Sequence, residues 1–265
     1  MNRRSATWKK ETVRYTDLEP NSDFVIETES LVKKFGFKTV LRKIDLSMRK
    51  GDFLALFGPN GAGKTTLMRI LGAQMLPTSG KVYVSGMDTR YHREEIHRRI
   101  GVATHDPYLY NDLSASENLK FYAKMYDVTR QPDEIDQLLQ RVGLHAYRND
   151  AVRTFSRGMQ QRLSIARSVI HDPQVLLFDE PFTGLDQKGV DDLKYLLKEF
   201  QTQGKTIVMA SHHLSLGAEL CSHAAVLSFG KIVFKAHQSK IDKTDFKQTY
   251  LEYAGDTPTP DRMSI

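Results

Sequence analysis

The chain has 265 residues, 40% hydrophobic and 26% charged, with a formal net charge of +6. That length suits one large domain or two small ones with a substantial core, and no stretch approaches the ~18 consecutive apolar residues of a bilayer-crossing helix. The single cysteine, Cys221, excludes an internal disulfide framework and suits a reducing cytosol.

Residues 1–22 read as a disordered basic tail. Arg3, Arg4, Lys9, Lys10 and Arg14 face only Glu11, and no apolar h-region follows Met1 to Lys10, so the segment is not a secretory signal. Its charge suits contact with anionic lipid or nucleic acid, but a solvated end is the simpler reading. From Phe24 the chain carries β-like runs, Phe24–Ile26, Thr39–Leu41 and Ile44–Met48, before a turn at Gly51-Asp52.

The apolar run Phe53–Phe57 reads as a buried strand, and Thr66–Leu71 as the start of a helix. Between them lies Gly58-Pro59-Asn60-Gly61-Ala62-Gly63-Lys64-Thr65-Thr66, a P-loop pattern in the strand–helix setting it requires. Small residues let successive backbone N–H groups converge on one anion, and the helix that follows adds the positive end of its dipole. Lys64 supplies a charge for the β- and γ-phosphates, Thr65 a hydroxyl for Mg²⁺, and Thr66 reach to an inner phosphate. ATP and Mg²⁺ are the expected ligands.

After a strand at Lys81–Val84 the pattern turns helical. Ser116–Tyr126, Ile135–Val142 with Gly143 behind it, and a helix from Ser156 to about Ile170 place apolar residues at helical spacing. This block, about 89–168, reads as an inserted helical subdomain. Strands return at Val175–Phe178, Thr206–Ala210 and Ala224–Leu227, as expected of a parallel sheet covered by helices. The domain is expected over 23–237, with a polar tail over 238–265.

Asp179 and Glu180 leave the carboxyl end of a buried strand, where ligands gather in open α/β sheets. Asp179 suits the Mg²⁺ of a nucleotide, held through water, and Glu180 suits the polarising of an attacking water. Ser156 is a good N-cap at a helix end that is also an anion site. Cys221, His223, His212 and His213 match no usual zinc spacing.

The segment Phe155-Ser156-Arg157-Gly158-Met159-Gln160-Gln161-Arg162 ahead of the Asp-Glu strand makes the chain resemble an ABC-transporter ATP-binding subunit over about residues 24–235. The resemblance implies an α/β P-loop NTPase of the ABC ATPase type, with a parallel-sheet core, an N-terminal antiparallel β-subdomain and an inserted α-helical subdomain. The family signature is Leu-Ser-Gly-Gly-Gln. Here Ser156 and Gly158 are kept, while Arg157 and Met159 depart from it. In the family this segment binds the γ-phosphate held by the other subunit, so each chain supplies half of each site.

The resemblance further implies that Phe35 stacks on adenine, that Asp186 in Thr183-Gly184-Leu185-Asp186 faces the partner, and that His212 contacts the γ-phosphate. Lys64, Glu180 and His212 would then be the catalytic set. His213 reads as a bystander that points elsewhere if the segment is extended. His105 stands where the family has Gln; imidazole is a poor Mg²⁺ ligand and would hydrogen-bond the γ-phosphate or water, titrating near neutrality.

The implied assembly is an ATP-dependent homodimer on separate transmembrane permease chains, cytoplasmic and peripheral on the inner face of the cell membrane, with no specific nucleic acid. Coupling is expected through a groove near His105 and the helical insertion. The signature segment with Glu180–Asp186, His105, Leu109-Tyr110 and Glu117–Tyr122 is similar to the haem-exporter ATP-binding subunits of cytochrome c biogenesis. The alternative is an exporter ATPase for drugs, lipids or polysaccharide. A soluble ABC ATPase on ribosomes or DNA is disfavoured by a single P-loop and no sustained heptads, and a P-loop kinase by Ser156 and His212.

Overall fold

The computed structural model describes residues 24–129, 132–241 and 246–254. The basic tail expected over 1–22 lies outside the described residues.

The three short β runs expected at the start are two long strands, β1 (Phe24–Phe35) and β2 (Lys38–Arg49), paired antiparallel as a hairpin. Each is punctuated by irregular register, which is why the apolar alternation looked broken in the sequence. They form a four-stranded sheet in the order β2-β1-β4-β5, with β4 at Ser79–Val84 and β5 at Met87–Asp88.

The second sheet holds β3 (Phe53–Phe57), β6 (Ile100–Ala103), β7 (Val175–Asp179), β8 (Thr206–Ala210), β9 (His223–Ser228) and β10 (Lys231–His237) in the order β10-β9-β3-β8-β7-β6. Strands β9, β3, β8, β7 and β6 are mutually parallel, and β10 adds an antiparallel edge. Both faces are covered, so these strands read as continuous apolar runs. Phe53, Ala55 and Phe57 of β3 enter one core and Leu54 and Leu56 the other, as do Leu176/Phe178 and Val175/Leu177 of β7.

One core lies under α1 (Lys64–Leu71) and the four-stranded sheet. The other lies under α3 (Ala115–Met125), α4 (Pro132–Arg141), α5 (Arg157–Val169) and α6 (Gln187–Thr202). Short helices α2 (Arg93–His97) and α7 (Leu214–Leu220) complete the connections.

Two boundaries differ from expectation. The block expected to be helical over 89–168 contains β6, which pairs in register with β7, Ile100 opposite Val175. A buried four-residue strand carries too little periodicity to stand out from a helical background. The polar tail expected from 238 contains helix α8 (Phe246–Ala254). Its Phe246 is buried and packs edge-on against Phe57, with ring centroids 5.2 Å apart. Phe246, Tyr250 and Tyr253 stand at i, i+4 and i+7, a helical stripe masked by the polar residues around it.

Candidate active site

The P-loop leaves β3 and enters α1 directly. Gly58 has φ +155°, and a Cβ there would lie 2.2 Å from the Leu227 carbonyl oxygen on β9. Gly63, at φ +109°, would drive a Cβ to 2.8 Å from Leu41 Cδ2 on β2. These glycines are needed both for backbone conformation and for close approach, which fixes the loop between the two sheets. Gly63 sits at the N-cap of α1 with no side-chain cap, so the backbone donors of that helix end lack a capping side chain.

Lys64 is buried, and its Nζ donates to the carbonyl oxygens of Gly58 at 2.7 Å and Pro59 at 3.3 Å. Burial lowers its pKa, while the charges of Glu180 and Asp179 pull it back up. The result is a desolvated ammonium at a cleft that Asp179 and Glu180 also line. That cleft has a volume of about 660 Å³ and is lined by Asn60, Thr65 and Thr66 of the P-loop together with Asp179 and Glu180.

Asp179 ends β7 and is 4% exposed. Its carboxylate faces the cleft with no protein donor among the described residues, and the Thr65 hydroxyl is exposed in the same cleft. An oxygen-only set of this kind fits a hard divalent cation such as Mg²⁺.

Glu180 holds φ +54°, a conformation uncommon for a side chain of this size. Its backbone N–H donates to Ala210 O at 2.9 Å, continuing the β7–β8 ladder past the end of the strand. This turn directs the carboxylate sideways. Glu180 Oε2 accepts from His212 Nδ1 at 2.7 Å and from His212 N at 3.3 Å. An ionised carboxylate only accepts, so Nδ1 carries the proton in this pair. The His213 ring packs on His212 with centroids 4.1 Å apart, and burial together with the charge of His212 lowers its pKa. The expectation that His213 points elsewhere held for an extended segment, and the segment instead turns into α7 there.

The remaining expected site residues form a second group, away from the cleft lining. Ser156 caps α5, its Oγ accepting from Met159 N at 3.3 Å. A Cβ at Gly158 would fall 2.8 Å from the Gly184 carbonyl oxygen, so this position is held small by the loop preceding α6. Asp186 caps α6, accepting from Gly189 N at 2.9 Å. His105 does not line the cleft. Its ring nitrogens lie 2.9 and 3.2 Å from Arg157 Nη2, with both residues exposed. Two of the three departures from the family pattern, Arg157 and His105, thus meet each other.

Phe35, expected on adenine, is also absent from the cleft lining; Phe37 is there instead, with Lys38, Arg42 and Phe229. Phe35 shares a strand face with Lys33 two residues earlier, whose Nζ sits 5.1 Å from its ring centroid. The Gly36 turn, at φ +55°, then carries Phe37 to the cleft side. Sequence reasoning missed Phe37 and Phe229, although each stands beside a glycine at a hairpin turn.

Comparison with known proteins finds similar sequences and a similar fold. A family model described as ABC transporter matches residues 41–183. The chain is 37% identical over 211 residues to a lantibiotic transport ATP-binding protein, SrtF, of Streptococcus pyogenes, covering 80% of this chain and 90% of that protein. It is 34% identical over 231 residues to the bacitracin transport ATP-binding protein BcrA of Enterococcus faecalis, covering 87% and 75%. The fold matches a dimeric post-hydrolysis structure of the ATP-binding cassette MJ0796 bound to ADP and Pi. The TM-score is 0.75 at 26% identity, with 80% of this chain and 98% of that one covered.

Proposed function

Since the chain belongs to the ABC transporter family, as an ATP-binding and ATP-hydrolysing subunit, we propose that two copies close around two ATP molecules and drive an exporter whose membrane-spanning subunits are separate chains. No helix among the described residues is long and apolar enough to cross a membrane. The observation that carries this reading is the division of the site. The P-loop, Asp179 and Glu180 line one cleft, with His212 bonded to Glu180, while Ser156, Gly158 and Asp186 lie outside that lining. A second copy supplies the missing half.

In this reading Lys64 exchanges its carbonyl partners for β- and γ-phosphate oxygens. Thr65 and Asp179 would hold Mg²⁺, which would supply positive charge to offset that of the phosphates. Glu180, with Oε2 held by His212, offers Oε1 to the attacking water and takes its proton. His212 keeps the carboxylate oriented. Ser156 and the start of α5 meet the γ-phosphate of the partner's nucleotide.

The membrane partner docks on an exposed aromatic face beside His105. Tyr108, Tyr110, Phe121 and Met125 are all exposed there, and the Tyr110 and Phe121 rings pack edge-on at 4.7 Å. We take the cargo to be an amphiphilic drug-like or peptide antibiotic. The relatives named for lantibiotic and bacitracin transport favour this exporter alternative over the haem export expected from the signature segment. The site residues themselves offer no haem-specific chemistry.

The test is Glu180→Gln. The variant should bind ATP, turn over about 10²- to 10⁴-fold more slowly, and elute as a dimer only with ATP. A nucleotide-loaded variant that stays monomeric, alone and with its membrane complex, would overturn the reading.

A further inference from the structure

Arg157 is the first residue of α5, beside Ser156, at a position where the family signature has glycine. It brings a guanidinium to a helix end whose dipole favours anions, and the first turn of α5 carries no acidic residue to balance it. Its stem is braced. A Cβ at Gly184, in the loop ahead of α6, would lie 3.3 Å from Arg157 Cγ and 3.4 Å from Cδ.

The head of the side chain lacks an acid. Arg90 reaches Asp88 at 2.6 Å, Arg141 reaches Glu199 at 2.8 Å and Arg153 reaches Asp112 at 2.9 Å. Arg157 meets no carboxylate among the described residues, and its guanidinium there contacts the exposed ring of His105. A guanidinium only donates, so this contact needs an unprotonated imidazole nitrogen. A neutral acceptor is a weak partner for a cation, and the fork of an arginine binds anionic oxygens more strongly.

Resting on the reading that two copies close around ATP, we propose that Arg157 contacts the γ-phosphate across the dimer interface, and that His105 holds it while the chains are apart. On closure the guanidinium leaves the imidazole and donates to oxygens of the γ-phosphate on the partner's P-loop. Each γ-phosphate then meets Lys64 of the chain that binds it and Arg157 of the other. A glycine at this position offers only its backbone, so the side chain adds a charge that the family signature does not carry.

The experiment measures dimerisation of the full-length chain by sedimentation, on a Glu180→Gln background with saturating MgATP. Arg157→Gln should weaken the dimer about tenfold, the worth of a charge-assisted hydrogen bond. Its monomer should bind MgATP within about twofold of the parent, because the P-loop of its own chain is untouched. Arg157→Lys should restore most of the loss, since the charge remains. His105→Ala should dimerise as tightly as the parent or more so, because it frees Arg157. With Glu180 present, and at concentrations that keep both proteins dimeric, Arg157→Gln should also slow phosphate release about tenfold. An unchanged dimer, or an unchanged release rate within it, would overturn the proposal. So would a His105→Ala variant as weak as Arg157→Gln, which would make the pair a structural tether. If the Glu180→Gln parent itself stays monomeric, the two-copy reading fails and the proposal with it.

Discussion

Glu180 is the residue on which the proposed chemistry turns, and its backbone shows the cost. A left-handed φ in a non-glycine residue is uncommon, and here it swings a carboxylate off the end of β7 onto His212. If His212 acts through Glu180, the two substitutions will not add. His212→Ala should lower kcat with little change in KM, yet cost nothing further on a Glu180→Gln background, as measured by steady-state phosphate release. Additive losses would mean that the two side chains act separately. Lys64, a buried ammonium with only carbonyl partners among the described residues, is set to gain from an anion. Lys64→Ala should therefore weaken MgATP binding in a direct titration; unchanged affinity would remove it from the phosphate site.

At the scale of elements, α5 packs against β6, α3 and α4. Its Arg167 is 8% exposed, donates to Val102 O at 2.6 Å from Nη2, and lies over the rings of Tyr122 and Tyr108. Tyr122 in turn donates its hydroxyl to the Tyr108 carbonyl, pinning a loop residue at φ +51°. The aromatic face proposed for docking is thus tied to the helix that begins at Ser156. Just past α5, His171 stacks on Tyr126 with centroids 3.8 Å apart and bonds the Ile100 carbonyl. Burial, with the charges of Arg167 and Lys205 outweighing Asp172, lowers its pKa from 6.5 to about 4. The unfolded chain therefore binds the proton first, and stability falls as pH drops from about 6.5 toward 4. From pH 7 to pH 5 this one group should cost about 1–2 kcal/mol. Urea unfolding at both values should show a smaller pH-dependent loss in His171→Phe, which keeps the stack and cannot titrate. An equal loss in both proteins would assign the effect to other groups.

At the scale of the whole molecule, the mixed sheet separates two cores, and α8 closes one of them from a segment whose composition reads as tail. Phe246 lies against Phe57 at the end of the P-loop strand, so the chain's last described helix supports the site from behind. Phe246→Ala should lower unfolding stability by about 3 kcal/mol in urea; a change within error would mean that α8 is only loosely docked. What the sequence determined by itself is what is contiguous in it. The P-loop needs nine neighbouring residues, the Asp179-Glu180 pair needs one strand end, and the capped start of α5 needs one serine, so local backbone chemistry was enough to read them. Only the tertiary structure decided which distant groups meet. His212 reaches Glu180 across 32 residues, Arg157 reaches His105 across 52, and two hairpin turns bring Phe37 and Phe229 to one cleft. Pairings of that kind depend on strand order and turn geometry, which pack side chains from remote segments together and leave no periodicity in the sequence to mark them.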